Sequence, residues 1–107
     1  MRASLGRRSR RTNWPDELAG RKVIALFDRA AARDFVDVYA LGRRFSKTEL
    51  LELARELDSG FDVRVFIDML RHLARYGDVD LALGDVEVDI AALRAFFQQW
   101  ITELEAR

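Results

Sequence analysis

Toward the C-terminal end, apolar residues recur at intervals of three and four: Ile90, Leu93, Phe97, Trp100, Ile101 and Leu104. That interval lays them along one stripe of an α-helix and scatters them over both faces of a strand. The same period governs Leu50, Leu53, Ala54 and Leu57, and a broader apolar face is built by Phe66, Ile67, Met69, Leu70 and Leu73. A chain with this repeat must bury helix stripes against one another, so the expected class is all-α, about five helices in a compact domain.

The punctuation between the stripes agrees. Pro15 suits a first helical position, with Asp16 and Glu17 complementing the positive helix start, and this first helix is expected to reach about Ala31. A second helix is predicted over Arg33 to Arg44, with Phe35, Val38, Tyr39 and Phe45 apolar. "SKTE" follows as a capping box, Ser46 capping and Glu49 reciprocating. "DSG" at 58–60 stops that third helix and offers Gly60 for a left-handed residue. Asp62 caps a fourth helix ending near Gly77, and Asp89 caps the last. Residues 78–89, "DVDLALGDVEVD", alternate too briefly for a strand and are read as a loop with at most an isolated extended piece. No internal repeat is present.

With 107 residues, half of them hydrophobic, one domain is expected. The absence of cysteine excludes disulfides and thiolate zinc sites, and His72, the only histidine, cannot make a histidine metal cluster. No apolar run is long enough to span a bilayer and residues 1–12 contain no signal-like core, so a cytoplasmic protein with no membrane partner is expected. The zero net charge conceals an asymmetry: Arg2, Arg7, Arg8, Arg10 and Arg11 stand in an acid-free N-terminal stretch. Of 18 basic residues, 13 are left against 18 acidic ones from position 13 onward, a net of −5. Residues 1–13 read as a basic arm, either a disordered terminus or a mis-assigned start, or else a contact for RNA phosphates; residues 14–107 read as the helical domain.

One stretch, "RKVIALFDRAAARDFVDVYAL" at 21–41, carries charges at regular intervals. Lys22 and Arg29 lie about 20° apart on the first helix, and two cations on one stripe can hold a phosphate. On the second helix Arg33, Asp37 and Arg44 fall within about 40°, with Asp34 about 60° to the side. These charges admit two readings: a solvated face, in which Arg33 and Asp37 form an i, i+4 pair worth about 0.2–0.5 kcal/mol, or one wall of a binding site. His72 lacks a neighbouring acid or nucleophile and receives no role. The spacing of Phe96, Phe97 and Trp100 favours a core over base stacking, and "ALGRR" and "LALGD" offer one glycine each, too few for a phosphate loop.

The segment "DELAGRKVIALFDRAAARDFVDVYAL" resembles the C-terminal signature of the AbiEii/AbiGii nucleotidyltransferase toxins, a lysine helix of the form (D/E)LAxxKxxAL followed by RDxxD(L/V)Y. "RRFSKTELLELARELDSGFDVRVFIDML" and "VDIAALRAFFQQWITEL" resemble the helical tail of the same proteins, so the likeness covers about residues 15–105. It implies the C-terminal half of a polymerase β-type nucleotidyltransferase, a toxin of type IV toxin–antitoxin or abortive-infection systems. The implied chemistry is Mg²⁺-dependent transfer of a nucleotide from an NTP to an acceptor such as tRNA, with two metal ions held by a DxD pair. By the same resemblance Lys22 contacts the triphosphate, Asp34 and Asp37 are the catalytic-motif aspartates, and Arg29 and Arg33 neutralise phosphate or brace those carboxylates.

The sequence also departs from that family. Its glycine-rich GS loop and DxD have no counterpart in "SLGRRSRR", and the alternating acids Asp78/Asp80 and Asp85/Glu87/Asp89 come after the lysine instead of before it. The implied protein is therefore a truncated or split nucleotidyltransferase, inert alone and needing an N-terminal catalytic half. The alternative is a non-catalytic helical module that binds an antitoxin, a second protomer or RNA.

Overall fold

The structure, a computed structural model, describes residues 16–82 and 88–107. Six α-helices and one 3₁₀ turn make up these residues, and no strand occurs among them. They are α1 (Asp16–Arg29), α2 (Ala32–Leu41), α3 (Lys47–Leu57), α4 (Val63–Arg71), the 3₁₀ turn His72–Arg75, α5 (Asp78–Leu81) and α6 (Ile90–Glu105). None of the described helices is long and apolar enough to cross a membrane.

Helix α1 is the hub, packing on α3, α2 and α4, while α4 and α2 both also lean on α6. Close approach of α1 to α3 needs Gly20: a Cβ there would stand 2.7 Å from Leu57 Cδ1 and 3.0 Å from the Leu53 carbonyl oxygen. Val23 and Leu26 of α1 are fully buried; on α3, Leu50 and Ala54 of the expected stripe are fully buried too, but Leu53 is half-buried and Leu57 exposed, and Leu51 is buried in their place. A chain of rings joins the other side of the core. Phe35 meets Phe97 edge-on at 5.2 Å, Phe97 lies 6.1 Å from Trp100, and Trp100 meets Phe66 at 5.3 Å, linking α2, α6 and α4. Edge-on pairs of this kind contribute about 0.5–1.5 kcal/mol each beyond their burial.

The caps hold in detail. Ser46 accepts the Glu49 N–H at 3.0 Å while Glu49 accepts the Ser46 N–H at 2.7 Å, and Asp62 and Asp89 cap α4 and α6. Four expectations are corrected. Residues 78–81 are helical, because Asp80 reaches back to the Gly77 N–H at 2.8 Å and Leu81 is fully buried; 83–87 lie outside the described residues, as does the expected helix start at 13–15. The second helix stops at Leu41, three residues early, and the fourth ends at Arg71 before the 3₁₀ turn. Gly60 is not left-handed; α3 ends because the Asp58 carboxylate takes the Gly60 N–H at 2.9 Å, a side-chain turn that needs no positive φ. The left-handed residue is Ala30, at φ 48°, fully buried between α1 and α2. For a residue with a Cβ that conformation costs about 1–2 kcal/mol, which its surroundings must offset.

Candidate functional site

The site begins at that bend. With Ala30 left-handed, α1 ends at Arg29 and α2 restarts at Ala32 in a new direction, and the first turn of α2 brings Asp34 back over the bend. Its carboxylate is only 2% exposed, yet both oxygens are satisfied. Arg29 donates through Nε to Oδ2 and through Nη2 to Oδ1, each at 2.9 Å, and the Ala31 N–H donates to Oδ2 at 2.9 Å. Burial alone pushes the Asp34 carboxyl up, but the Arg29 hydrogen bonds, the Ala31 N–H and the charges of Arg29 and Lys22 together hold it below the usual carboxylate range. The Arg29 guanidinium is held above its ordinary value, first by the hydrogen bond to Asp34 and then by that carboxylate's charge, with a further contribution from Asp37.

One turn further along α2, Asp37 faces α1. Lys22 Nζ donates to its Oδ2 at 3.1 Å across 15 residues of sequence. The two side chains are 32% and 34% exposed, so the pair is held by both helices and still open to solvent. The solvated-face reading placed Asp37 with Arg33, and the structure corrects it: Asp37 pairs with Lys22, and Asp34 is buried. Arg33 is exposed and makes no ion pair among the described residues. Lys22, Arg29, Asp34 and Asp37 thus form one electrostatic cluster across the α1–α2 junction, while Arg33 lies outside its contacts.

The carboxylates do not fit a two-metal site. Asp34 spends both oxygens on Arg29 and the Ala31 N–H, and Asp37 is bound to a lysine. The alternating acids downstream are engaged as well: Asp78 accepts from Arg94, Asp80 from the Gly77 N–H, and Asp89 caps α6. Asp85 and Glu87 lie outside the described residues. Among the described residues no group of three or more His, Asp or Glu side chains converges as a metal site would require. What the cluster offers is two cations, each held in place by an aspartate of the neighbouring helix.

Two features escaped the sequence reading. Tyr76 donates its hydroxyl to the Ala30 carbonyl at 2.8 Å, reaching the bend from 46 residues away, and no local signal in "RYGD" marks that partner. Arg94 on α6 fixes the neighbouring backbone, donating to the Tyr76 carbonyl at 2.8 Å and to Asp78 at 2.9 Å. Arg94 also edges an open cleft of about 440 Å³ floored by Leu70, Phe97 and Ile101, none of whose walls comes from α1 or α2. His72 Nδ1 sits 3.0 Å from the Asp68 carbonyl oxygen, and Phe97 and Trp100 are core residues. No protein-family model, curated protein or solved structure matches this chain.

Proposed function

We propose that the chain is the helical part of an AbiEii/AbiGii-type nucleotidyltransferase, in which Lys22 contacts the triphosphate of the incoming nucleotide. The observation that supports this reading most is the Lys22–Asp37 pair, two side chains from different helices held at 3.1 Å and about one-third exposed. A lysine ammonium is a compact point charge with three donors, able to exchange a carboxylate oxygen for a phosphate oxygen without moving its helix. Asp37 would keep it extended until substrate arrives. The buried Asp34 braces Arg29, whose side chain stays 62% exposed and would offer its remaining N–H groups as a second phosphate contact.

On this reading the metal-binding carboxylates come from a catalytic half bearing the GS loop and DxD, and the chain alone transfers nothing. Toxin activity on an acceptor such as tRNA, and recognition by an antitoxin, belong to the assembled enzyme. The test is nucleotide binding by the purified chain, measured with a fluorescent NTP, beside a transfer assay with labelled NTPs, Mg²⁺ and tRNA. We expect weak triphosphate binding, about tenfold weaker in Lys22→Ala, the scale of one lost charged hydrogen bond, and no transfer. Equal binding by Lys22→Ala removes the lysine's role, and label transferred by the chain alone overturns its inertness.

A further inference from the structure

The Lys22–Asp37 pair joins α1 to α2, and the chain turns between those helices at Ala30. Ala30 is the sole non-glycine residue with positive φ among the described residues, and it is fully buried. Left to its own preference an alanine at this position would leave the left-handed well and swing α2 away from α1. Two contacts oppose that. From the near side, Asp34 ties the Ala31 N–H and Arg29 together. From the far side, the Tyr76 hydroxyl holds the Ala30 carbonyl at 2.8 Å, so the peptide plane following Ala30 cannot rotate without breaking a part-buried hydrogen bond.

Tyr76 is itself anchored. Its backbone carbonyl is held by Arg94, and its ring packs edge-on against Phe35 of α2 with centroids 6.2 Å apart. The hydroxyl is thus presented to Ala30 by a frame built from α2, α6 and the segment after α4, which makes no use of Lys22 or Asp37. We infer that Tyr76 is a positioning residue for the Lys22–Asp37 pair: its hydroxyl fixes the left-handed bend at Ala30, and the bend sets Lys22 opposite Asp37. This inference rests on the nucleotide-contact reading for its functional meaning, since it names the residue that keeps the phosphate-binding lysine in register.

The geometry can be read without any nucleotide. A water-soluble carbodiimide joins a lysine amine to a carboxylate only when the two are already in contact, so the yield of the Lys22–Asp37 crosslink, measured by peptide mass spectrometry on the full chain, reports their pairing. Lys47 and Glu103, paired at 3.2 Å between α3 and α6, provide a control in the same sample. Tyr76→Phe removes the hydroxyl and keeps the ring against Phe35. It is expected to lower the Lys22–Asp37 crosslink severalfold and leave the Lys47–Glu103 crosslink unchanged. An unchanged Lys22–Asp37 yield overturns the inference, and so does a parallel fall of both crosslinks, which makes Tyr76 a general stabiliser.

Nucleotide binding then separates the two claims. If Tyr76 acts through Lys22, Tyr76→Phe weakens binding of the fluorescent NTP severalfold in the natural chain and has no added effect in Lys22→Ala. Additive losses overturn the route through Lys22. If the natural chain binds no nucleotide, the functional reading fails by itself, and the crosslinks still decide whether Tyr76 positions the pair.

Discussion

Asp34 shows how a charge written into a helix can serve the backbone before it serves a ligand. Its carboxylate accepts three hydrogen bonds while almost wholly buried, and it closes the bend that the left-handed Ala30 opens. Because its folded-state carboxyl is held below the ordinary value, the stabilisation it brings is complete above about pH 3.9, the usual aspartate value. It is lost as the pH falls through the lowered folded value, since the protonated acid can no longer accept from both Arg29 and Ala31. Asp34→Asn keeps the shape and removes the charge, and should cost about 1–3 kcal/mol at pH 7. Urea denaturation at pH 7 and again near pH 3 should show the gap between natural chain and variant narrowing, because only the natural chain loses charge at position 34, while the remaining carboxylates titrate in both proteins. A gap that stays constant with pH would assign the loss to the acceptor oxygen that the amide lacks instead of to charge.

At the scale of elements, the α1–α3 contact is the most demanding in the fold, and Gly20 is where it is tightest. In an isolated helix, alanine would be favoured over glycine by about 1 kcal/mol. Here the added Cβ meets a backbone oxygen at 3.0 Å as well as the tip of Leu57, and backbone cannot step aside as a side chain can. Gly20→Ala should therefore destabilise the chain by about 1–3 kcal/mol, the range for overpacking, measured as a lower denaturation midpoint at unchanged slope; a higher midpoint would mean the helices part at no cost. The helices themselves were legible because their signals are local: the stripe from Ile90 to Leu104, the Ser46–Glu49 box, and the caps at Asp62 and Asp89. The candidate site was legible only in part. Spacing put Lys22 and Arg29 on one stripe, but the partner of Asp37 is 15 residues away and the partner of Ala30 is 46 away, and neither follows from helical period. The missed bend has the same origin. A left-handed residue is sought at glycine, and Gly60 offered one, whereas Ala30 adopts the conformation because tertiary hydrogen bonds hold it there.

Across the whole molecule the charge is divided between an arginine-bearing N-terminal stretch and a body of net −5, and the proposed contact with an RNA acceptor is expected to follow that division. A phosphate backbone is repelled by the body as a whole and attracted by Arg2, Arg7, Arg8, Arg10 and Arg11. On the proposed reading Lys22 is a single local contact for a triphosphate, too little to hold a polynucleotide against that repulsion. Binding of single-stranded RNA should then depend on the five arginines and release about 0.7 counterion per phosphate contact, so a double-logarithmic plot of affinity against salt has a slope near −3.5 if all five engage. That slope corresponds to a loss of about a hundredfold between 50 and 200 mM salt. Replacing the five arginines with serine should abolish RNA retention at low salt and leave fluorescent NTP binding intact, whereas Lys22→Ala should weaken NTP binding about tenfold and leave RNA retention intact. Filter binding with a labelled single-stranded RNA over a salt series measures the first property and nucleotide titration the second. If Lys22→Ala were to remove both together, the acceptor and the nucleotide would share one site on α1 and α2, and the division of charge along the chain would have no part in choosing the acceptor.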